Sequence, residues 1–294
     1  MKKINQLFLG ILLLPILAMV GCGGGGSGGS TAVKNFKSWS QVEPDSTYQL
    51  SGLTMEISED GSLEVSEEST MRFSKDSKEQ WTNLRITAPS TKVSFSTADN
   101  DLIFHDPNSP LVLAEGFNED KYAIIINPYD PDLGWNYQTF GIWAIDPVNA
   151  QGDAFGFISA GAPTANSATP TEGTARYIGS TVGTYYSSEL GEGFTYSDLE
   201  VIASFEDLEL NFKTLNTWDI LQDVSRATQL DMDGSLTYQP GINSFSGEVR
   251  TQNGLIGNAD GRFYGPSYEE LGGVFETRSL DRQEFYGGAF GAKR

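Results

Sequence analysis

Short runs in which apolar and polar residues alternate dominate this chain after residue 31. No part of that region keeps a helical period over about eleven residues or more, so the pattern predicts strands rather than helices. Residues 55–57 and 63–65 alternate on either side of Asp60-Gly61, a turn that is typical of a hairpin. Residues 122–127, Y-A-I-I-I-N, are continuously apolar, which predicts a strand covered on both faces. The fold class predicted from this pattern is all-β.

The two halves of the chain differ in how regularly these runs recur. In the first half, strands are predicted at 48–50, 55–57, 63–65, 70–73, 84–87, 92–96, 102–104, 122–127 and 137–145. In the second half, apolar positions alternate through 199–205 and 208–212, and further runs follow to the C-terminus. About eight strands result, enough to close an up-and-down antiparallel barrel whose interior is filled by side chains.

A proline-broken segment of small and polar residues separates the halves. Residues 159–172 contain S-A-G-A-P-T-A-N-S-A-T-P-T-E, a composition typical of a linker. We therefore predict a β-rich domain over residues 35–158 and a barrel domain over residues 173–294.

The N-terminus has the layout of a lipoprotein signal peptide over residues 1–21. Lys2 and Lys3 precede an apolar run, residues 7–20, that is short for a membrane span. The run ends in M-V-G-C, so we expect a lipid chain on Cys22, the only cysteine of the chain. Residues 22–34 are Gly- and Ser-rich and predict a flexible tether.

The charge of the chain narrows the choice of partners. The formal net charge is −20, from 39 acidic and 19 basic residues. Nucleic-acid binders concentrate Lys and Arg, so nucleic acid is excluded as a partner class. The acidic balance also argues against an anionic lipid surface as a direct partner, which leaves the lipid anchor as the expected membrane contact. Two explanations of the negative charge are open: it keeps an exposed protein soluble, or it attracts a basic patch on a partner.

The residues needed for common catalytic centres are missing from the sequence. His105 is the only histidine, and no G-x-S-x-G motif is present. One histidine and one lipidated cysteine leave no nitrogen and sulfur ligands for a zinc site. We predict a protein that is not an enzyme, with no cofactor and no metal site.

The stretch 257–275, G-N-A-D-G-R-F-Y-G-P-S-Y-E-E-L-G-G-V-F, is the most specific motif of the chain. Pro266 suits the first position of a helix, where its missing N–H is not needed. Gly272 and Gly273 are predicted to take left-handed dihedrals that end a single helical turn. The expected element is therefore strand, short helix, strand.

This stretch, together with the C-terminal residues G-A-F-G-A-K-R, resembles the β-barrel domain of the transferrin-binding protein B family of surface lipoproteins. The resemblance covers residues 161–294, and Tyr268 stands where that family usually has a small residue. It implies that the barrel follows an N-terminal "handle" domain, the name used below for the β-rich first half. It also implies localisation in the outer membrane, exposed at the cell surface.

The functions implied by the resemblance all involve capture of an extracellular protein or small solute. An iron source such as transferrin, haemoglobin or haem would be passed to an integral outer-membrane receptor, after delivery of the lipoprotein by a surface-export translocon. Related barrels bind complement regulators instead, so a host-factor binder without a nutritional role is the alternative.

Candidate binding residues lie on the loop after the apolar strand 122–127. Tyr129, Trp135 and Tyr137 are aromatic residues on a proline-containing connection, a composition typical of binding loops. The alternative is that Trp135 and Tyr137 belong to the core. His105 is a candidate axial haem ligand, and the alternative is an ordinary loop histidine.

Overall fold

The computed structural model describes residues 32–58, 61–106, 109–130, 134–145, 154–220 and 226–294. These residues form two large β-sheets and four short 3-10 turns, and none of them lies in an α-helix. The predicted all-β fold is confirmed. Asp60 of the predicted hairpin turn lies outside the described residues, but the strands on either side do pair as a hairpin.

The first sheet contains the strands of the handle. Its bounds are β1 Lys34–Asn35, β2 Ser46–Ile57, β3 Leu63–Lys75, β4 Trp81–Thr87, β5 Lys92–Ser96, β6 Leu102–His105, β7 Leu111–Glu115, β8 Lys121–Ile126, β9 Gln138–Ile145 and β10 Ala154–Gly161. The strand order is β5-β4-β3-β2-β10-β9-β8-β7-β6, and β1 pairs in parallel with β2. Every other described pairing is antiparallel, as meandering chains with short connections require.

Alternation along β2 to β5 determines which side chains enter the handle core. Leu50, Met71, Phe73, Leu84 and Phe95 point inward and are almost completely buried, while the residues between them face outward. Strand β9 does not follow this pattern, because both of its faces are buried. One face packs on the handle core and the other on the barrel, which explains the continuous apolar run.

The handle sheet curls until its two edge strands, β5 and β6, lie near each other without pairing. Lys121 crosses this gap. Its Nζ donates to the carbonyl oxygen of Ser94 on β5 at 2.6 Å and to Oδ2 of Asp101 at 3.0 Å. A charged side chain thus links the two edge strands, and charge at a sheet edge disfavours pairing with another chain.

The second sheet closes into a barrel. Its strands are β11 Thr174–Ser187, β12 Gly191–Ser204, β13 Glu209–Asp219, β14 Met232–Tyr238, β15 Ser244–Thr251, β16 Ile256–Tyr264, β17 Glu270–Arg278 and β18 Phe285–Lys293. Each strand pairs antiparallel with the next, and β18 pairs with β11 to complete the ring. The predicted eight-stranded up-and-down barrel is confirmed. Its interior is packed with large side chains, among them Tyr177, Phe212, Phe263 and Phe275.

Handle and barrel meet along β9 and β10 on one side and β17 and β18 on the other. The Gln138 Nε2 donates to the carbonyl oxygen of Leu271 at 2.7 Å. The hydroxyls of Ser159 and Tyr264 are 2.9 Å apart. These polar contacts sit among buried apolar residues, so the two sheets share one packed interface.

The predicted short helix between β16 and β17 is a turn instead. Gly265 has φ 86° and Tyr268 has φ 52°, and β17 already begins at Glu270. Gly272 and Gly273 are extended residues within β17, so their predicted left-handed dihedrals were wrong. These glycines are needed for close approach, since a Cβ on Gly272 would overlap Gln138 and one on Gly273 would overlap the carbonyl oxygen of Asp260.

The predicted linker is partly ordered structure. Residues 159–161 complete β10, Pro163 forms a bridge with Tyr264, and Asn166–Ala168 is a 3-10 turn. The sequence pattern does not predict strands β1, β7 and β10. Strand β10 contains two glycines and is buried on both faces over most of its length, so it carries no alternation for a sequence pattern to detect.

Candidate functional site

The predicted binding loop lies at the junction of handle and barrel. Asn136 and Tyr137 donate their backbone N–H groups to the two carboxylate oxygens of Glu270, at 2.6 and 3.1 Å. Lys293 donates through Nζ to the carbonyl oxygen of Gly134 at 2.8 Å. Burial raises the pKa of Glu270 to about 7, against the opposing effect of the backbone amides and Lys293. The loop is therefore clamped to the barrel.

Two of the three aromatic candidates on this loop face inward. Trp135 is 3% exposed, and its ring meets Phe140 edge-on at 5.5 Å. Tyr129 packs edge-on against Trp39 at 5.7 Å, with Lys75 Nζ 4.5 Å from its ring centre. Burial raises the pKa of Tyr129 above its usual range. The expectation that this loop offers Trp135 to a partner is corrected, because the indole fills the handle core.

Tyr137 lies at the junction of handle and barrel. It is half-buried beside Gly265 of the barrel. Burial raises its pKa, with smaller contributions from Glu269 and Glu270. Tyr137 remains a candidate contact residue.

His105 ends strand β6 inside the handle. It is 5% exposed, with Trp81 at 5.8 Å and Tyr129 at 6.0 Å between ring centres. Neither ring nitrogen makes a hydrogen bond of good geometry to a described residue. Burial lowers the pKa of His105, and the nearby Asn127 side chain partly opposes this effect. His105 is therefore a buried side chain of the handle, while its role as a haem ligand stays a prediction.

The structure does not describe the predicted lipid anchor, but it does bear on membrane-spanning helices and metal sites within the described ranges. Cys22 lies outside the described residues, and so does the rest of the signal sequence. Within the described ranges, no helix has the length and hydrophobicity needed to cross a bilayer. The same ranges contain no group of three or more His, Cys, Asp or Glu side chains arranged to hold a metal ion.

The structure reveals an aromatic groove that the sequence did not indicate. It lies where the ends of β8, β9 and β10 meet β11, β12 and β18, and its volume is about 230 Å³. Its lining residues are Tyr122, Ala144, Ile145, Ala154, Phe155, Thr184, Tyr185, Tyr186, Glu192 and Phe285. Both sheets contribute to it, so the groove depends on how handle and barrel are docked.

Cross-strand pairing brings the barrel side of this groove together. Tyr186 on β11 lies directly opposite Phe285 on β18, and both point outward from the barrel. Phe155 of the handle meets the Phe285 ring edge-on at 6.1 Å, and Arg278 covers that ring at 5.6 Å. Tyr186 is 58% exposed, an unusual position for a large aromatic side chain.

The groove can accept an apolar or aromatic group from a partner. The Tyr122 ring meets Phe194 edge-on at 5.9 Å, burial raises the pKa of Tyr122 to about 12, and Glu192 supplies an acidic edge. Rigid aromatic walls with a polar margin are typical of binding hot spots. The adjacent residues Tyr185 and Tyr186 could have indicated this groove in the sequence. Because side chains alternate along a strand, a Tyr185 that points into the barrel places Tyr186 on its outer surface.

Comparison with known proteins identifies the barrel. Residues 169–294 match the family described as the C-lobe and N-lobe beta barrels of Tf-binding protein B. The predicted resemblance to the transferrin-binding protein B family is confirmed for this part of the chain. Transferrin-binding protein B of Moraxella catarrhalis is 30% identical over 151 residues, which cover 45% of this chain and 20% of that protein.

Solved structures of transferrin-binding protein B align with much of this chain at low sequence identity. A transferrin-binding protein B variant from Haemophilus parasuis aligns over 82% of this chain and 44% of its own, at 16% identity and a TM-score of 0.49. The isotype 1 protein from serogroup B Neisseria meningitidis aligns over 78% and 52%, at 17% identity and a TM-score of 0.42. The chain spans about half the length of these relatives or less.

Proposed function

We propose that this chain, whose residues 169–294 form a barrel domain of the transferrin-binding protein B family, is a lipid-anchored surface protein of the outer membrane. It captures an extracellular protein or solute and has no enzymatic activity. The observation that supports capture most directly is the exposed aromatic groove built around Tyr186 and Phe285. Exposed apolar surface rimmed by polar residues is typical of sites that bind proteins or ligands.

The captured molecule is proposed to be an iron source, such as transferrin, haemoglobin or haem, which then passes to an integral outer-membrane receptor. The name of the Moraxella relative supports transferrin as the first candidate. The test is a pull-down from serum with the purified protein as bait, followed by affinity measurements with each iron carrier. Absence of any specific serum protein or haem in the eluate would refute the proposal.

Capture should depend on Tyr186. Replacing Tyr186 by Ser removes an exposed anchor from the groove, so we expect a loss of affinity of about tenfold to a hundredfold for the captured partner. Stability should change little, since the side chain is 58% exposed. The matched control is Ile202→Ser, which removes an apolar side chain 50% exposed on β12, outside the groove. Equal affinity for the Tyr186 variant and the control would place the binding surface elsewhere.

The anchor is expected to depend on Cys22 alone. Cys22→Ser removes the only thiol, so the variant should lose its lipid and leave the membrane fraction. Fractionation and metabolic labelling with a radioactive fatty acid measure both effects, and Ser27→Ala in the same segment is the control. A Cys22→Ser variant that incorporates no fatty acid yet stays fully in the membrane fraction would contradict lipid anchorage.

Capture of a host factor without a nutritional role is the second candidate. The aromatic groove favours it equally, because its walls fit a protein side chain as well as a small ring. Growth under iron limitation separates the two functions. A deletion strain that grows like its parent on transferrin, haemoglobin and haem would support the host-factor function.

A further inference from the structure

The three central rows of side chains on the outward face of strands β2 to β5 contain no acidic residue, although the chain as a whole is strongly acidic and the exposed Glu68 follows them on the same face of β3. Register places twelve side chains on this face in three rows of four. The rows are Thr47, Ser74, Asn83 and Ser96; then Gln49, Arg72, Arg85 and Ser94; then Ser51, Thr70, Thr87 and Lys92. We call these twelve residues the polar face. Three are basic and nine are neutral, in a chain whose formal charge is −20.

Two arginines lie directly opposite each other at the centre of the polar face. Arg72 on β3 pairs in register with Arg85 on β4, and Lys92 follows one row away on β5. Like charges placed directly opposite each other on neighbouring strands are destabilising. Arg72 is nevertheless held in place, because its Nε donates to Oε1 of Gln49 at 2.6 Å.

None of these three cations makes an ion pair with a described residue. The two arginines line a shallow depression of about 380 Å³. Asp99 is the acidic residue that lines it, and it lies in the 3-10 turn after β5, outside the three rows. Two like charges in register, with no carboxylate of the described residues paired with them, would be neutralised by an external anionic ligand.

The position of the depression indicates where that anion comes from. Val33 also lines it, so the chain leaves the handle beside the polar face on its way to the N-terminus. Ten residues lie between Cys22 and Val33. A segment of that length reaches at most about 40 Å, and its Gly- and Ser-rich sequence predicts a mean reach of roughly 20 Å. An anchor on Cys22 would hold this face close to the membrane.

We propose that the polar face docks the protein onto the membrane by binding phosphate groups of lipid headgroups, with Arg72 and Arg85 as the main contacts. This choice of occupant rests on the lipid anchor of the proposed function. Arginine guanidinium groups bind phosphate oxygens in pairs, and the neighbouring hydroxyl and amide groups can donate to the same oxygens. The acidic remainder of the chain is repelled by the same surface, so the charge that argues against an anionic lipid surface for the chain as a whole restricts the contact to the polar face.

The test uses the non-lipidated Cys22→Ser chain at low ionic strength, so that the anchor plays no part. Its partition onto phosphatidylcholine vesicles is compared with partition onto vesicles that also contain phosphatidic acid. Replacing Arg72 and Arg85 together by Gln should weaken binding to phosphatidic acid vesicles by about thirtyfold. The control Lys78→Gln/Lys213→Gln makes the same change in net charge outside the polar face, and should stay within about twofold of the parent.

Two further readouts complete the experiment. The melting temperature of the Arg72→Gln/Arg85→Gln variant should equal or exceed that of the parent, since a like-charge pair is removed. Inorganic phosphate should release the parent from vesicles more effectively than chloride at equal ionic strength. The proposal is overturned if the parent ignores phosphatidic acid, if both double variants lose binding equally, or if phosphate and chloride act alike. These outcomes do not depend on fractionation of the lipidated protein, so failure here is distinct from failure of the anchor.

Discussion

Replacing Trp135 by Ala should lower the free energy of unfolding by about 3–5 kcal/mol, the usual cost of removing a large buried aromatic side chain. The indole belongs to the handle core and is 3% exposed, so its removal leaves a cavity that the surrounding strands can fill only in part. Denaturant titration followed by circular dichroism measures the loss. Affinity for a captured partner, measured below the unfolding transition, should be close to that of the parent.

Two variants serve as controls for Trp135. Trp135→Phe keeps most of the buried ring and removes an indole N–H that has no hydrogen-bond partner among the described residues, so it should cost clearly less than Trp135→Ala. Tyr137→Ala alters a half-buried side chain of the same loop and should have a small effect on stability. A stable Trp135→Ala variant that no longer captures its partner would show that this loop binds directly.

Gly272→Val should destabilise the protein by about 1–3 kcal/mol or more, because it inserts a branched side chain into a packed interface. A Cβ at this position would overlap Oε1 of Gln138 and lie 2.8 Å from Oγ of Ser159, both of which belong to the handle. The substitution therefore forces handle and barrel apart. Thermal unfolding should show a lower midpoint, and the groove should lose its ability to bind.

Gly273→Val tests the other face of the same strand. Its Cβ would overlap the carbonyl oxygen of Asp260 and lie 2.7 Å from the ring of Phe290, which faces the barrel interior. Ser246→Val, at an exposed strand position of β15, is the control and should change stability by less than about 0.5 kcal/mol. Parent-like melting of both glycine variants would mean that these strands do not approach as closely as described.

Alternation and turn residues were sufficient to predict most of the barrel, because each of its strands has one face in a packed interior. The same signal failed at β10, where glycines and apolar residues are buried on both faces. It also failed at 265–273. Glycine was expected there for its dihedral freedom, but Gly272 and Gly273 are needed because neighbouring backbone and side chains leave no room for a Cβ.

The candidate binding residues were predicted less well than the fold. A proline-containing aromatic loop is typical both of a binding surface and of a segment wedged between two sheets, and the sequence of residues 128–137 does not distinguish the two. The distinction came from Glu270, which lies more than a hundred residues later and accepts the backbone N–H groups of Asn136 and Tyr137. Contacts of that sequence separation are not encoded in any local pattern.

By itself the sequence determined the all-β class, the inward and outward side chains of most strands, the barrel family and the expected anchor at Cys22. Those features depend on local alternation or on contiguous motifs. Only the tertiary structure decided which outward residues become neighbours, because strand register and the docking of the two sheets are properties of the whole fold. Register sets Arg72 opposite Arg85 and Tyr186 opposite Phe285, and so creates a cationic face and an aromatic groove in a chain whose overall composition is acidic.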